Sequence, residues 1–257
     1  MTQSERLEYL INYLLQERRL SQPLPTDDGE RFRLFRALVN TREPIAASAE
    51  FLSVQDEYLT AYIAEQGITH AGELPRCPSD NRISIWQGDI TLLDADAIVN
   101  AANSAMLGCW VPNHACIDNC IHTFAGVQLR MDCSEIMTAQ GHDEPTGMAK
   151  ITPAYSLPSR YVLHTVGPII SSSVSANDRE LLASSYRSCF ELAEEKGLES
   201  IAYCCISTGV FRFPNDLAAE IAVKTVRECL DNAKSVKHVI FNVFKDVDKM
   251  LYENILG

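Results

Sequence analysis

Ala97-Ile-Val-Asn-Ala-Ala-Asn-Ser104 is the stretch on which the reading of the fold turns. It opens as a short apolar strand over residues 97–100 and runs straight into a turn of small and amide side chains. The rest of the chain repeats that design. Further strands are expected over residues 83–86, 149–154, 161–166, 201–206 and 238–243, all rich in Val, Ile and aromatics and too short for lone helices. Helical stretches fall between them, near 117–138, 178–196 and 216–232, with another from Val247. Such alternation predicts a three-layer α/β domain with a mixed central sheet. Ligands in these sheets sit beyond the carboxyl ends of the strands, so chemistry is to be sought where the chain leaves a strand.

Residues 1–80 follow another pattern. Leu7, Leu10, Ile11, Leu14 and Leu15 recur at helical spacing, as do Phe32, Phe35, Leu38 and Val39, and then Phe51, Val54, Tyr58, Leu59, Tyr62 and Ile63. The turn Pro23-Leu-Pro-Thr-Asp-Asp-Gly29 separates the first two sets, and Gly67 ends the third. Each stripe would be exposed on an isolated helix. The expectation is therefore a helical extension, residues 1–80, that packs on a main domain, residues 81–257, as a structural cap.

The 22 basic and 34 acidic residues give a net charge of −12, which argues against general nucleic-acid binding, since that needs clustered cations. A nucleotide ligand is still compatible, because backbone N–H groups and helix N-termini can hold it. The 46% hydrophobic content suffices for a packed core. No apolar run approaches the roughly 20 residues of a membrane span, and Met1-Thr-Gln-Ser-Glu-Arg6 lacks a signal core, so a cytoplasmic address is expected. Nine Cys cannot all pair within the chain, and bunched thiols in a reducing compartment point to metal or reactivity.

Four segments that follow strands could carry chemistry. In Gln87-Gly-Asp-Ile-Thr91, Asp89 could accept a hydrogen bond from a base amino group or cap a turn. In Val99-Asn-Ala-Ala-Asn-Ser104 the two amides could meet sugar hydroxyls or form an Asn-rich turn. Ser207-Thr-Gly-Val-Phe-Arg-Phe-Pro214 has the makings of a phosphate cradle before a helix, without the Walker pattern; Phe211 could stack on a ligand ring or fill the core. The fourth is Gly108-Cys-Trp-Val-Pro-Asn-His-Ala-Cys-Ile-Asp-Asn-Cys-Ile-His122. Its thiols and imidazoles suit zinc. Cys109, His114 and Cys116 converge if the loop around Pro112 folds back, leaving a fourth position open. Cys120 and His122, inside the following helix, read better as packing residues.

Taken together, in this order and at these separations, the segments resemble the macrodomain family of ADP-ribose-binding modules. The matching stretches are Gly88–Thr91, Ile98–Ser104, Ile117-Asp118 to Ile121-His122, Tyr161-Val-Leu-His-Thr-Val-Gly-Pro168, and Ser207–Phe211 with Phe213-Pro214. Hydrolytic members often carry a glycine run before the Ile-Asp step. Here Gly108–Cys116 replaces it, and with the helical extension this resembles the zinc-containing microbial macrodomains. Arg212 is a second departure, at a place where a small residue is common.

The resemblance implies a three-layer macrodomain-like fold with a mixed sheet, and a zinc-dependent hydrolase that removes mono-ADP-ribose from protein side chains. Its alternatives are a reader with structural zinc and an O-acetyl-ADP-ribose deacetylase. It implies one zinc on Cys109, His114 and Cys116. It places Asp89 on the adenine amino group, the Ile90 backbone beside the base, and Asn103 at the distal ribose. Ser207, Thr208, Gly209, Val210 and Phe211 wrap the diphosphate. Asp118, with Asn119 beside it, becomes the candidate for orienting water or a ribose hydroxyl. Implied partners are ADP-ribose, mono-ADP-ribosylated protein and, as a modified substrate, a lipoyl-carrier protein acted on by a sirtuin-like transferase.

Overall fold

The structure, a computed structural model, describes residues 1–257. Three helices come first: α1 (Gln3–Glu17), α2 (Asp28–Asn40) and α3 (Ala49–Gln66). Each starts at a residue whose side chain accepts an N–H of the first turn: Thr2, Asp27 and Ser48. The strands are β1 (Ile83–Gln87), β2 (Ala97–Ala101), β3 (Ala149–Pro153), β4 (Tyr161–Thr165), β5 (Ser200–Tyr203) and β6 (His238–Val243). Between and after them lie α4 (Ile117–Ala125), α5 (Val127–Gln140), α6 (Ala176–Glu195), α7 (Asn215–Leu230) and α8 (Asp246–Leu256).

The strands form one sheet in the order β1-β6-β5-β2-β4-β3. All neighbours are parallel except the edge strand β3, which runs antiparallel to β4. The sheet is thus mixed, as the sequence predicts. Helices α6, α7 and α8 pack side by side, with α6 on β3–β5 and α8 on β1 and β6. Helices α4 and α5 pack with β2 and β3, and α2 and α3 lie against α4. Every residue of β6 is buried, which is why its middle, Val239-Ile-Phe241, reads as an unbroken apolar run. No helix is long and apolar enough to cross a membrane.

Two sequence boundaries need correction. The single helical stretch expected near 117–138 is two helices, broken at Gly126. Gly126 has φ 101°, and a Cβ there would stand 2.4 Å from Gln55 Nε2. Gln55, fully buried in α3, accepts the Val127 N–H at 3.0 Å and donates to Gln128 at 2.7 Å, so a side chain from afar starts α5. The strand expected over 201–206 stops at Tyr203, because the chain turns away to reach Ser207 at φ 66°.

The first three helices carry a core of their own, centred on Leu10, Ile11, Leu14, Phe35, Phe51 and Leu59 and joined by Val127 from α5. An aromatic stack continues it into α4: Phe32 and Tyr62 rings lie 4.7 Å apart, and Tyr62 and Phe124 rings 5.8 Å. The buried Asn40 donates to Thr123 of α4 at 2.9 Å.

Burial sets an acid limit on this fold. It pushes the His164 imidazole down to about 3 and, with Arg76 adding to it, His238 to about 4. An unfolded His titrates near 6.5, so below that value the unfolded chain binds more protons and stability falls as pH drops toward the folded values. The urea midpoint should therefore decrease from pH 7 to pH 5. His238→Gln, which keeps a partner for the Ser84 hydroxyl 2.9 Å away, should show a smaller decrease. An equal decrease would remove His238 from this account.

Candidate active site

The carboxyl ends of β2, β5 and β6 and the loop 108–116 enclose an open cleft of about 760 Å³. Asn103, Cys109, His114, Cys116, Asp118, Ser207, Thr208, Gly209, Val210 and Phe211 all line it. Segments far apart in the sequence, from Ala101 to Asp248, thus meet where a mixed sheet places its ligands.

Asp118 is a buried carboxyl of the site, 5% exposed in the first turn of α4. Asn100, at the end of β2, donates to its Oδ1 at 2.8 Å; Asn103, in the turn beyond, donates to its Oδ2 at 3.3 Å. Burial pushes the carboxyl up to about 6, against the opposing pull of Asn100, Arg130 and Asn103. His122 stands one helical turn on, its Nε2 3.6 Å from Asp118 Oδ1. Burial holds this imidazole well below its usual value, so it is neutral beside the carboxylate. Gly108 makes room for it, since a Cβ there would lie 2.8 Å from the ring.

The donor atoms of Cys109, His114 and Cys116 lie within 4.8 Å of one another, with Cys109 Sγ 3.5 Å from His114 Nδ1. Tetrahedral zinc with bonds of about 2.0–2.3 Å separates its donors by about 3.3–3.8 Å, so this set fits after a small contraction. Burial pushes the Cys116 thiol up to about 12, opposed by the Asn119 N–H and reinforced by Cys109, so a metal would have to displace its proton. Cys120 lies outside the set. His122, Cys133 and His164 form another group within 4.8 Å, but all three are buried and none lines the cleft.

The loop 207–211 is held from behind. Phe213 N–H donates to the Ser207 carbonyl at 3.0 Å, Arg212 N–H to Gly209 at 3.0 Å, and Ile170 N–H to Phe211 at 2.8 Å. The N–H groups of Gly209, Val210 and Phe211 have no partner within the chain. Free N–H groups placed shortly before the N-terminus of α7 are available to an anion. Gly167 lets the loop close down: a Cβ there would stand 2.0 Å from Ser207 Oγ. Arg212 adopts φ 60° and is exposed.

Asp89 and Ile90 do not line the cleft itself. They form a tight turn after β1, tied to its β6 end by Gly88 N–H to Val243 at 3.1 Å and Asn242 Nδ2 to the Gly88 carbonyl at 2.9 Å. Asp89 Oδ1 accepts the Thr91 N–H and hydroxyl, which leaves Oδ2 free. Asn119 is also set back. It is fully buried, and its Nδ2 donates to the carbonyls of Cys109 at 3.3 Å and Val111 at 3.0 Å. Its amide braces the loop instead of facing a ligand. Asn103 lines the cleft, yet its amide already binds Gly108, Asp118 and Ala105.

Among the lining residues that the sequence motifs do not mark are Asn242, Phe244 and Lys245. They directly follow or end β6, and the strand-end rule applied to that strand would have found them. Phe244 is 76% exposed, a free aromatic face at the mouth of the cleft. Trp110 also lines the cleft and is backed by the Arg130 guanidinium, 4.3 Å from its ring.

The Macro domain family model matches residues 99–222. A protein of Treponema medium named protein-ADP-ribose hydrolase is 55% identical, covering all of both chains. One of the same name from Staphylococcus aureus strain MRSA252 is 51% identical over 96% of this chain and 94% of its own length. Among solved structures, the Trypanosoma brucei macrodomain in complex with ADP-ribose is 31% identical and superposes with a TM-score of 0.64, covering 86% of this chain and 95% of that one. A six-stranded mixed sheet, a cleft at its strand ends and full-length likeness at this level lead to one conclusion: the chain belongs to the macrodomain family.

Proposed function

We propose that this protein is a zinc-dependent hydrolase that detaches mono-ADP-ribose from modified protein side chains. The observation that carries the reading is the convergence of a buried, amide-held carboxylate, an anion cradle and a Cys/His/Cys donor set on one cleft. The names of the Treponema and Staphylococcus relatives support release of ADP-ribose.

In this reading the adenine amino group donates to the free Oδ2 of Asp89, and the Ile90 backbone borders the base. Phe244 offers its exposed face to the ring. The free N–H groups of Gly209, Val210 and Phe211 bind the diphosphate, with Ser207 and Thr208 shaping the loop. The distal ribose then reaches Asp118, the catalytic residue. Asn100 and Asn103 hold the carboxylate so that it can take a proton from water. The water oxygen bonds to the anomeric carbon, the bond from that carbon to the protein side chain breaks, and the proton passes on to the departing group. Zinc on Cys109, His114 and Cys116 would polarise an oxygen or fix the sugar. The proposed protein substrate is a lipoyl-carrier protein modified by a sirtuin-like transferase, on the strength of the resemblance alone. Nine free thiols suit a reducing cytoplasm.

Protein purified without added metal should contain one zinc per chain by elemental analysis, and Cys109→Ala, His114→Ala and Cys116→Ala should each lose it. Full retention in all three variants would reject the ligand set. Chelation should suppress release of ADP-ribose from modified protein while leaving substantial ADP-ribose binding, and zinc should restore the rate. Circular dichroism accompanies the measurement, because metal loss can unfold a domain. Undiminished release by a folded, zinc-free protein would reduce the metal to a structural role. Binding without release at full zinc content would make the protein a reader, and acetate release from O-acetyl-ADP-ribose alone would make it a deacetylase.

The adenine contact has its own test. Asp89→Ala should weaken ADP-ribose binding by about 1.5–3 kcal/mol in calorimetry, the usual worth of a hydrogen bond to a charged group. Ribose 5-phosphate, which lacks adenine, should bind the variant and the parent alike. Unchanged ADP-ribose affinity would remove Asp89 from the adenine site.

A further inference from the structure

The loop that carries Cys109, His114 and Cys116 is gripped from α2, far outside the residues matched by the family model. Arg36 Nη2 donates to the His114 carbonyl at 2.7 Å and to Asn119 Oδ1 at 2.9 Å, and Arg36 Nε approaches the same Oδ1 at 3.3 Å. Asn119 hands this constraint on through its two bonds to the Cys109 and Val111 carbonyls, while its own N–H meets Cys116 Sγ at 3.4 Å. One turn along α2, Asn40 Oδ1 accepts the Asn113 N–H at 2.9 Å, where the backbone stands at φ 57°. Each of the three donor residues is thereby tied to α2, either directly or through Asn119.

We propose that Arg36, with Asn40 beside it, is a positioning residue for the donor loop, so that the N-terminal helices are a working part of the site and not only a cover for the fold. That the loop holds zinc rests on the functional reading above. The shape of the side chain matters here. The guanidinium is a planar fork that reaches a main-chain carbonyl and a side-chain amide on two different segments, whereas an ammonium is a point donor on a flexible stem. The same fork reaches Cys120 Sγ at 3.3 Å, which accounts for that thiol outside the donor set. No residue of α1, α2 or α3 lines the cleft, so an effect of Arg36 on the metal must travel through the loop.

Arg36→Met keeps the stem and removes the fork, and Arg36→Lys keeps the charge without the fork. Both should release zinc to a chromogenic chelator about tenfold faster or more, the usual scale for groups that orient ligands. Both should also speed amide hydrogen exchange over residues 109–116 more than across α1, α2 and α3. A merely structural role would instead speed exchange across α1, α2 and α3 and spare the ratio between loop and helices. Folded Arg36→Met with parental zinc release and parental exchange over 109–116 would overturn the proposal; so would restoration of both by Arg36→Lys, since charge alone would then suffice. If Arg36→Met fails to fold, the Lys variant decides. If the parent holds no zinc, the zinc reading fails, and exchange over 109–116 still decides whether Arg36 positions the loop.

Discussion

A carboxylate taken out of water must find its hydrogen bonds inside the protein, and much of this structure is arranged around that need at Asp118. Two amides meet it, one on each oxygen, and both come from the segment that leaves β2. The strand fixes Asn100, the turn after it fixes Asn103, and the first turn of α4 brings the carboxylate to them. The unpaired N–H groups of that first turn add a field that favours negative charge. The site is preorganised because none of these partners lies on a free segment.

The same helix links the chemistry to the N-terminal region. Asp118 and His122, four residues apart, share the face near the sheet, where Asn100 also approaches His164 at 3.2 Å. Asn119 and Thr123 form the next face and meet Arg36 and Asn40 of α2. Phe124 joins the stack with Tyr62 and Phe32. A short helix of nine residues would be marginal alone. Here three faces are occupied at once, so the position of the carboxylate depends on both the sheet and the extension.

What was legible in the sequence follows from how local its physics is. The strands could be read because buried parallel strands are dominated by apolar residues, and β6 matches its expected limits. The convergence of Cys109, His114 and Cys116 could be anticipated from donor types packed into eight residues. The break at Gly126 could not, because Gln55 acts on it from 71 positions away. Asn119 shows the same limit: beside Asp118 in sequence it reads as part of the ligand face, but Arg36 lies 83 positions away and turns its amide to the loop. Phe244 was accessible to the strand-end argument but belongs to no motif that draws attention to it.

The donor loop explains why such distant partners are needed. Residues 108–116 contain no helix or strand, and two of them, Gly108 and Asn113, sit at positive φ. Backbone groups there cannot be satisfied by a ladder, so side chains take that part: Asn119 for the carbonyls of Cys109 and Val111, Arg36 for that of His114, and Asn40 for the N–H of Asn113. A loop that holds Cys109, His114 and Cys116 with their donor atoms within 4.8 Å of one another loses conformational freedom on ordering, and multiple fixed contacts offset that loss. Two of those contacts come from α2. The apolar stripes of α1, α2 and α3, which look in the sequence like a means of covering surface, therefore also build the rigid support from which Arg36 and Asn40 reach the site.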